Sequence, residues 1–271
     1  MKTLSELWRY REVLLNFVRR DLKKRYKSSV LGFFWSFLNP LLQILVLWFV
    51  FKHLWANPEK NYTVTLFAAF LPWMFFSQAV LDGASCVAEH VGLLKKVYFP
   101  RLMLPLTSFV ANGIHFVLGL LVLCLFFAVV RVTVNWPYVG PALLALVIQC
   151  TITLGLILIV SSLSVFYTDI KYLMQTVMQM WLFLSPILYS PGRVLANPGL
   201  PALAKKLYLM NPMAPVLVAY RSIIPLNEPW RVLGDVNYSL LLSWSAGFAI
   251  ILLAVGIIVF RRLEWTMPLQ G

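Results

Sequence analysis

Six cations, Arg19, Arg20, Lys23, Lys24, Arg25 and Lys27, crowd into residues 19–27, just ahead of a long apolar and aromatic run. Lysine and arginine at this density make charge-assisted hydrogen bonds to anionic oxygens, so phosphate groups are their natural partners. A net charge of +13 would suit nucleic acid. The spanning run that follows so closely argues instead for lipid headgroups, and nucleic acid is not an expected partner. The block also acts as an orientation signal, whatever else it does.

Other chemistry is sparse. The sequence has no HExxH, GxSxG or GxxxxGK[ST] motif, and no acidic cluster suited to Mg²⁺ and a diphosphate. Three histidines and three cysteines lack metal-ligand or CxxC spacing, so no metal site and no disulfide is expected. No catalytic residue emerges, and the chain does not read as an enzyme. Within the apolar runs His115 is the clear ionisable residue; it reads as a helix-contact residue bonded to a carbonyl. A carrier coupled to ions or protons would need more such groups near the midplane.

Aromatic residues are abundant: 19 Phe, 11 Tyr and 10 Trp. Phe33, Phe34, Trp35, Phe37, Trp48 and Phe49 load the first apolar run, and Trp181 and Phe183 a later one. Aromatic rings can belong to the interfacial belts of any membrane protein or pack helices together. They also offer area to the C–H faces of sugars without gripping one hydroxyl, which suits a passage for a polymer.

The elements that must position these groups follow from composition. The 271 residues are 61% hydrophobic and only 12% charged, against about 25% charged in soluble domains. This is an integral membrane protein. Apolar runs at 31–53, 62–82, 103–130, 139–166, 172–190 and 238–260 predict six transmembrane helices, each long enough for a ~30 Å core. Gln175, Thr176 and Gln179 interrupt the fifth. With the N-terminus inside, cytoplasmic segments hold 15 Lys and Arg and outer segments 8, so both termini are expected in the cytoplasm. The first run starts too late and runs too long for a cleaved signal peptide. One transmembrane domain, 1–271, is expected, without internal repeats.

Three segments lie outside the runs. Residues 4–28 predict an amphipathic interface helix, with Leu4, Leu7, Trp8, Leu14, Leu15, Val18 and Leu22 largely on one face. Residues 83–101 carry a short stripe, Val87, Val91, Leu94 and Tyr98, ended by Pro100. That stripe reads either as a cytoplasmic helix docking into a partner's groove or as a membrane-surface turn. Residues 191–236 are punctuated by Pro and Gly, predicting short interfacial or re-entrant helices at the outer leaflet.

Four ordered stretches carry a family resemblance: "RRDLKKRYKSSVLGFFWSFLNPLL" (19–42), "LLKKVYFPRLMLPL" (93–106), "VFYTDIKYLMQTVMQMWLFLSPILYSP" (165–191) and "NPMAPVLVAYRSII" (211–224). Together they resemble the membrane permease of type-2 ABC exporters for lipid-linked polysaccharide (O-antigen, teichoic acid or capsule). Thr168 is a departure, standing where the family often has Arg. The resemblance implies a homodimeric passage in the cytoplasmic (inner) membrane, driven by two copies of a separate ATPase that binds ATP and Mg²⁺. No cofactor is implied in this chain itself. It further implies a coupling element including Glu89, His90, Leu93, Leu94, Lys95, Lys96 and Tyr98. Arg19, Arg20, Lys23, Lys24, Arg25 and Lys27 would form an entrance for undecaprenyl diphosphate. Phe33, Phe34, Trp35, Phe37, Trp181, Phe183 and Tyr189 would line the passage. The alternative is a related permease exporting a small hydrophobic compound or drug.

Overall fold

The computed structural model describes residues 9–26, 34–50, 62–90, 92, 99–227, 229, 233, 234 and 236–264. The described residues are helical or in turns, with no strand among them. The helices are α1 (Arg11–Tyr26), α2 (Trp35–Phe49), α3 (Tyr62–Ser85), α4 (Met103–Val130), α5 (Val139–Leu163), α6 (Ile170–Phe183), α7 (Pro191–Ala196), α8 (Ala202–Leu209), α9 (Met213–Ser222) and α10 (Tyr238–Leu263). Single 3-10 turns at Ala88–His90 and Trp136–Tyr138 complete the order.

Among the described residues four helices are long and apolar enough to cross a membrane: Tyr62–Ser85, Met103–Val129, Trp136–Leu163 and Tyr238–Leu263. They coincide with the second, third, fourth and sixth expected runs. Helix α3 is the central post, buried along most of its length and touching α2, α4, α5, α6 and α9. Pro72 inside it is accommodated, and Gln149 of α5 donates its side-chain N–H to the Pro72 carbonyl at 2.6 Å. Such bonds between helices matter where water is absent.

Helices α5 and α10 pack most intimately. A Cβ on Gly155 would lie 2.8 Å from the Leu252 carbonyl carbon, and one on Gly256 would lie 2.5 Å from the Gly155 oxygen. Only glycine lets the two backbones come this close.

Two expected spans look different. Helix α2 covers 15 residues of the first run, and residues 31–33 and 51–53 lie outside the described ones. Helix α6 ends at Phe183 after 14 residues, about 21 Å at 1.5 Å per residue, short of the ~30 Å core. The cause is local: Pro186 disfavours helical backbone at Ser185. There the chain tightens into 3-10-like turns, with Ser185 N–H donating to Leu182 O.

Among the described residues the Pro-rich segment 191–236 folds into α7, α8 and α9. Every residue of α9 is buried, against α5, α3 and α10. By contrast α8 has no buried residue and α7 only Pro191.

Candidate functional site

The N-terminal cations are carried by α1, and its docking explains which way they point. Phe17 and Val18 are buried, with Tyr10, Val13 and Leu14 packed beside them. Phe17 is edge-on to Phe99 at 5.1 Å between ring centres, in a cluster that includes Cys86, Val87, Met103, Leu104 and Phe260. The helix therefore seats this face on the protein, chiefly on the start of α4. Residues 10, 13, 14, 17 and 18 define the stripe. Phe17 was missing from the sequence-derived face, which put Leu15 there instead, and Leu15 is exposed. Leu4, Leu7 and Trp8 lie outside the described residues.

With that face turned inward, Arg19, Arg20, Lys23 and Lys24 are exposed. The Arg20 guanidinium lies 5.3 Å from the centre of the Phe17 ring, a cation–π geometry. The side chain of Arg25 and all of Lys27 lie outside the described residues.

Of the expected coupling element, Leu93, Leu94, Lys95, Lys96 and Tyr98 lie outside the described residues. Glu89 and His90 sit on the 3-10 turn after α3. Lys24 Nζ donates to Glu89 Oε2 at 2.9 Å, so the cationic helix and the turn meet directly. His90 is buried, its Nδ1 2.7 Å from the Cys86 carbonyl, and its ring is 6.1 Å from Phe17. Burial pushes the Cys86 thiol well above its ordinary value, which keeps it protonated.

Burial works against the charge on Glu89, but the hydrogen bond and the charge of Lys24 outweigh it and hold the carboxyl below its usual range. A lowered carboxyl stabilises the fold above its ordinary value of 4.5 and loses that contribution as the pH falls beneath it. Both partners face solvent, so the pair contributes at most about 1 kcal/mol. Glu89→Gln is expected to melt slightly below wild type near neutral pH. The gap should close well below pH 4.5, as melting in detergent at both pH values would show.

The aromatic residues are spread widely. Phe34, Trp35 and Phe183 are exposed; Phe33 and the side chain of Phe37 lie outside the described residues. Trp181 is half-buried, edge-on to Phe76 at 5.4 Å and to Trp73 at 6.2 Å. Its indole N–H donates to Asn211 Oδ1 at 2.9 Å. Tyr189 donates its hydroxyl to Phe183 O at 2.8 Å and lies 6.3 Å from the Tyr208 ring. Burial raises the phenol of Tyr208.

Two residues that bind the end of α6 to the segment after it were not singled out from the sequence. Asn211 also donates to Leu184 O and Ser185 Oγ, each at 3.1 Å, so it fastens the end of α6 to α9. Arg221, 1% exposed, donates Nη1 to Pro186 O at 2.8 Å and Tyr189 O at 2.6 Å. The signal was an arginine inside the apolar stretch "VLVAYRSII".

Four membrane-length helices, a cationic helix bonded to the turn after α3, and a buried helix α9 tied through Arg221 to the turn after α6 define a polytopic membrane domain. The chain belongs to the ABC-2 type transporter family, whose match runs over residues 12–224. It is similar to the O-antigen export system permease protein RfbA of Myxococcus xanthus, with 35% identity over 255 residues, covering 91% of this chain and 94% of that protein. Two proteins of the same name from Klebsiella pneumoniae are each 29% identical, covering 94% of this chain and 93% of their own length.

Proposed function

We propose that this chain is the permease half of an ATP-driven exporter of lipid-linked polysaccharide. The observation that carries the reading is the near full-length similarity to relatives named as O-antigen export permeases. Those names weigh against the alternative, a permease for a small hydrophobic compound or drug. Two copies form the passage in the cytoplasmic membrane, each with six spans and both termini inside. The fifth span is then α6 continued by the turn that Arg221 holds, and α7 to α9 close the outer end. Two copies of a separate ATPase, carrying ATP and Mg²⁺, act on the segment after α3. Undecaprenyl diphosphate meets the exposed cations of α1, and exposed aromatics such as Phe34, Trp35 and Phe183 give the sugar a surface without a tight grip.

Arg19 and Lys23 test this entrance because both are exposed and neither is needed to seat α1. Arg19→Gln with Lys23→Gln is expected to lower export about tenfold, the effect of about 1.4 kcal/mol. Membrane level and melting temperature should stay as in wild type. Undiminished export by that double variant would remove the entrance role from α1.

A further inference from the structure

Helix α6 runs beside the middle of the bundle. It packs on α3, and its Trp181 is edge-on to Trp73 and Phe76, which lie near the midpoint of the 24 residues of that spanning helix. Gln179 and Gln175 precede Trp181 by about 3 and 9 Å of helix rise. Both glutamines are exposed, so two primary amides stand at membrane depth on the outside of the bundle.

Neither amide side chain makes a hydrogen bond among the described residues. Other polar groups at this depth are served within the protein. Gln149 of α5 donates to the Pro72 carbonyl, and the Thr176 hydroxyl donates to the Tyr172 carbonyl of its own helix at 3.2 Å. Hydrocarbon supplies neither the donors nor the acceptors that a primary amide needs, so this face of α6 does not meet lipid tails.

The exposed surface of α6 has two sides. At about 100° per residue, Tyr172, Gln175, Thr176, Gln179 and Phe183 fall on one side, and Leu173, Met180 and Leu184 on the other. The first side is a stripe with one group per turn: a ring, an amide, an amide, a ring. A packed helix neighbour would favour small residues there. Rings and neutral amides together suit a carbohydrate, whose sugars present C–H faces and hydroxyls that both give and accept hydrogen bonds.

We propose that this side of α6 is the track along which a glycan moves. Tyr172 and Phe183 lie against the C–H faces of the sugars, and Gln175 and Gln179 exchange hydrogen bonds with their hydroxyls. An uncharged amide bonds to one hydroxyl as readily as to the next, so the polymer is held without being stopped. The inference rests on the polysaccharide-export reading and adds the polar contacts to it.

The test uses the full chain with its partner ATPase in proteoliposomes, with ATP present. Single cysteines are exposed to a water-soluble thiosulfonate, and labelled peptides are mapped by mass so that the native cysteines do not interfere. Gln175→Cys and Gln179→Cys are expected to label about tenfold faster than Leu173→Cys and Met180→Cys at matched depth, because the reacting thiolate forms where water reaches it. Undecaprenyl-diphosphate-linked polysaccharide in transit should slow labelling on the glutamine side. Gln175→Leu with Gln179→Leu is expected to lower export about tenfold without changing the melting temperature, and Gln175→Asn with Gln179→Asn should keep most of it. Equal labelling of the two sides would overturn the proposal, as would full export by the folded leucine pair. Cysteines at 175 or 179 that resist the reagent but join two copies by a disulfide on oxidation would give the face to a second copy and overturn it too. Failure of wild type to export glycan, with labelling still confined to the glutamine side, would instead overturn the export reading.

Discussion

Gly256→Val is expected to leave little folded protein in the membrane. The new Cβ would stand 2.5 Å from the Gly155 carbonyl oxygen, and that oxygen belongs to backbone, which cannot rotate away. Helices α5 and α10 would have to separate along their closest line of contact, loosening α9, which packs against both. The expected cost is about 3 kcal/mol or more, at the upper end for overpacking. Gly155→Val should behave alike, because its Cβ meets the backbone of Leu252 and Leu253. Gly247→Ala, on the same helix with nothing within 4 Å, is the matched control and should melt as wild type. Melting of purified protein in detergent checks all three, and a wild-type melt for Gly256→Val would refute the close approach.

The second large effect is expected at Arg221. Arg221→Met keeps a long apolar side chain but removes the donor shared by the Pro186 and Tyr189 carbonyls. Two buried acceptors then lose a charged partner, costing about 2–5 kcal/mol together. The turn after α6 should come loose from α9, exposing residues 185–190 to added protease. Arg221→Lys retains the charge on a shorter reach to two divergent acceptors, so it should recover only part of the loss. Limited proteolysis followed by mass mapping reads this directly. Protection of the turn in Arg221→Met would mean that other contacts hold it.

These two sites also show how far the sequence was legible. The runs at 62–82, 103–130, 139–166 and 238–260 became helices close to those limits, because uninterrupted apolar residues fix both length and environment. The Pro and Gly signals at 191–236 located three short helices for equally local reasons. What depended on distant partners stayed hidden. Arg221 entered only the charge count of segment 191–236; it is buried, and the carbonyls it serves lie 32 and 35 residues away. Likewise Lys24 and Glu89, 65 residues apart, looked like parts of two separate elements. Their contact follows from Phe17 docking α1 onto α4, a packing fact that helical spacing alone does not fix. The glycines of α5 and α10 carried no sequence signal beyond their type, since a close approach is a property of the pair.

The central claim is ATP-driven movement of a lipid-linked glycan by this chain with a partner ATPase. The most direct measurement uses proteoliposomes holding both proteins and undecaprenyl-diphosphate-linked polysaccharide, with glycan reaching the opposite face detected by an impermeant lectin. The account predicts lectin-accessible glycan that accumulates only when both proteins and hydrolysable ATP are present. Glycan that stays on its original side, while a small hydrophobic dye is moved at the expense of ATP, would contradict it.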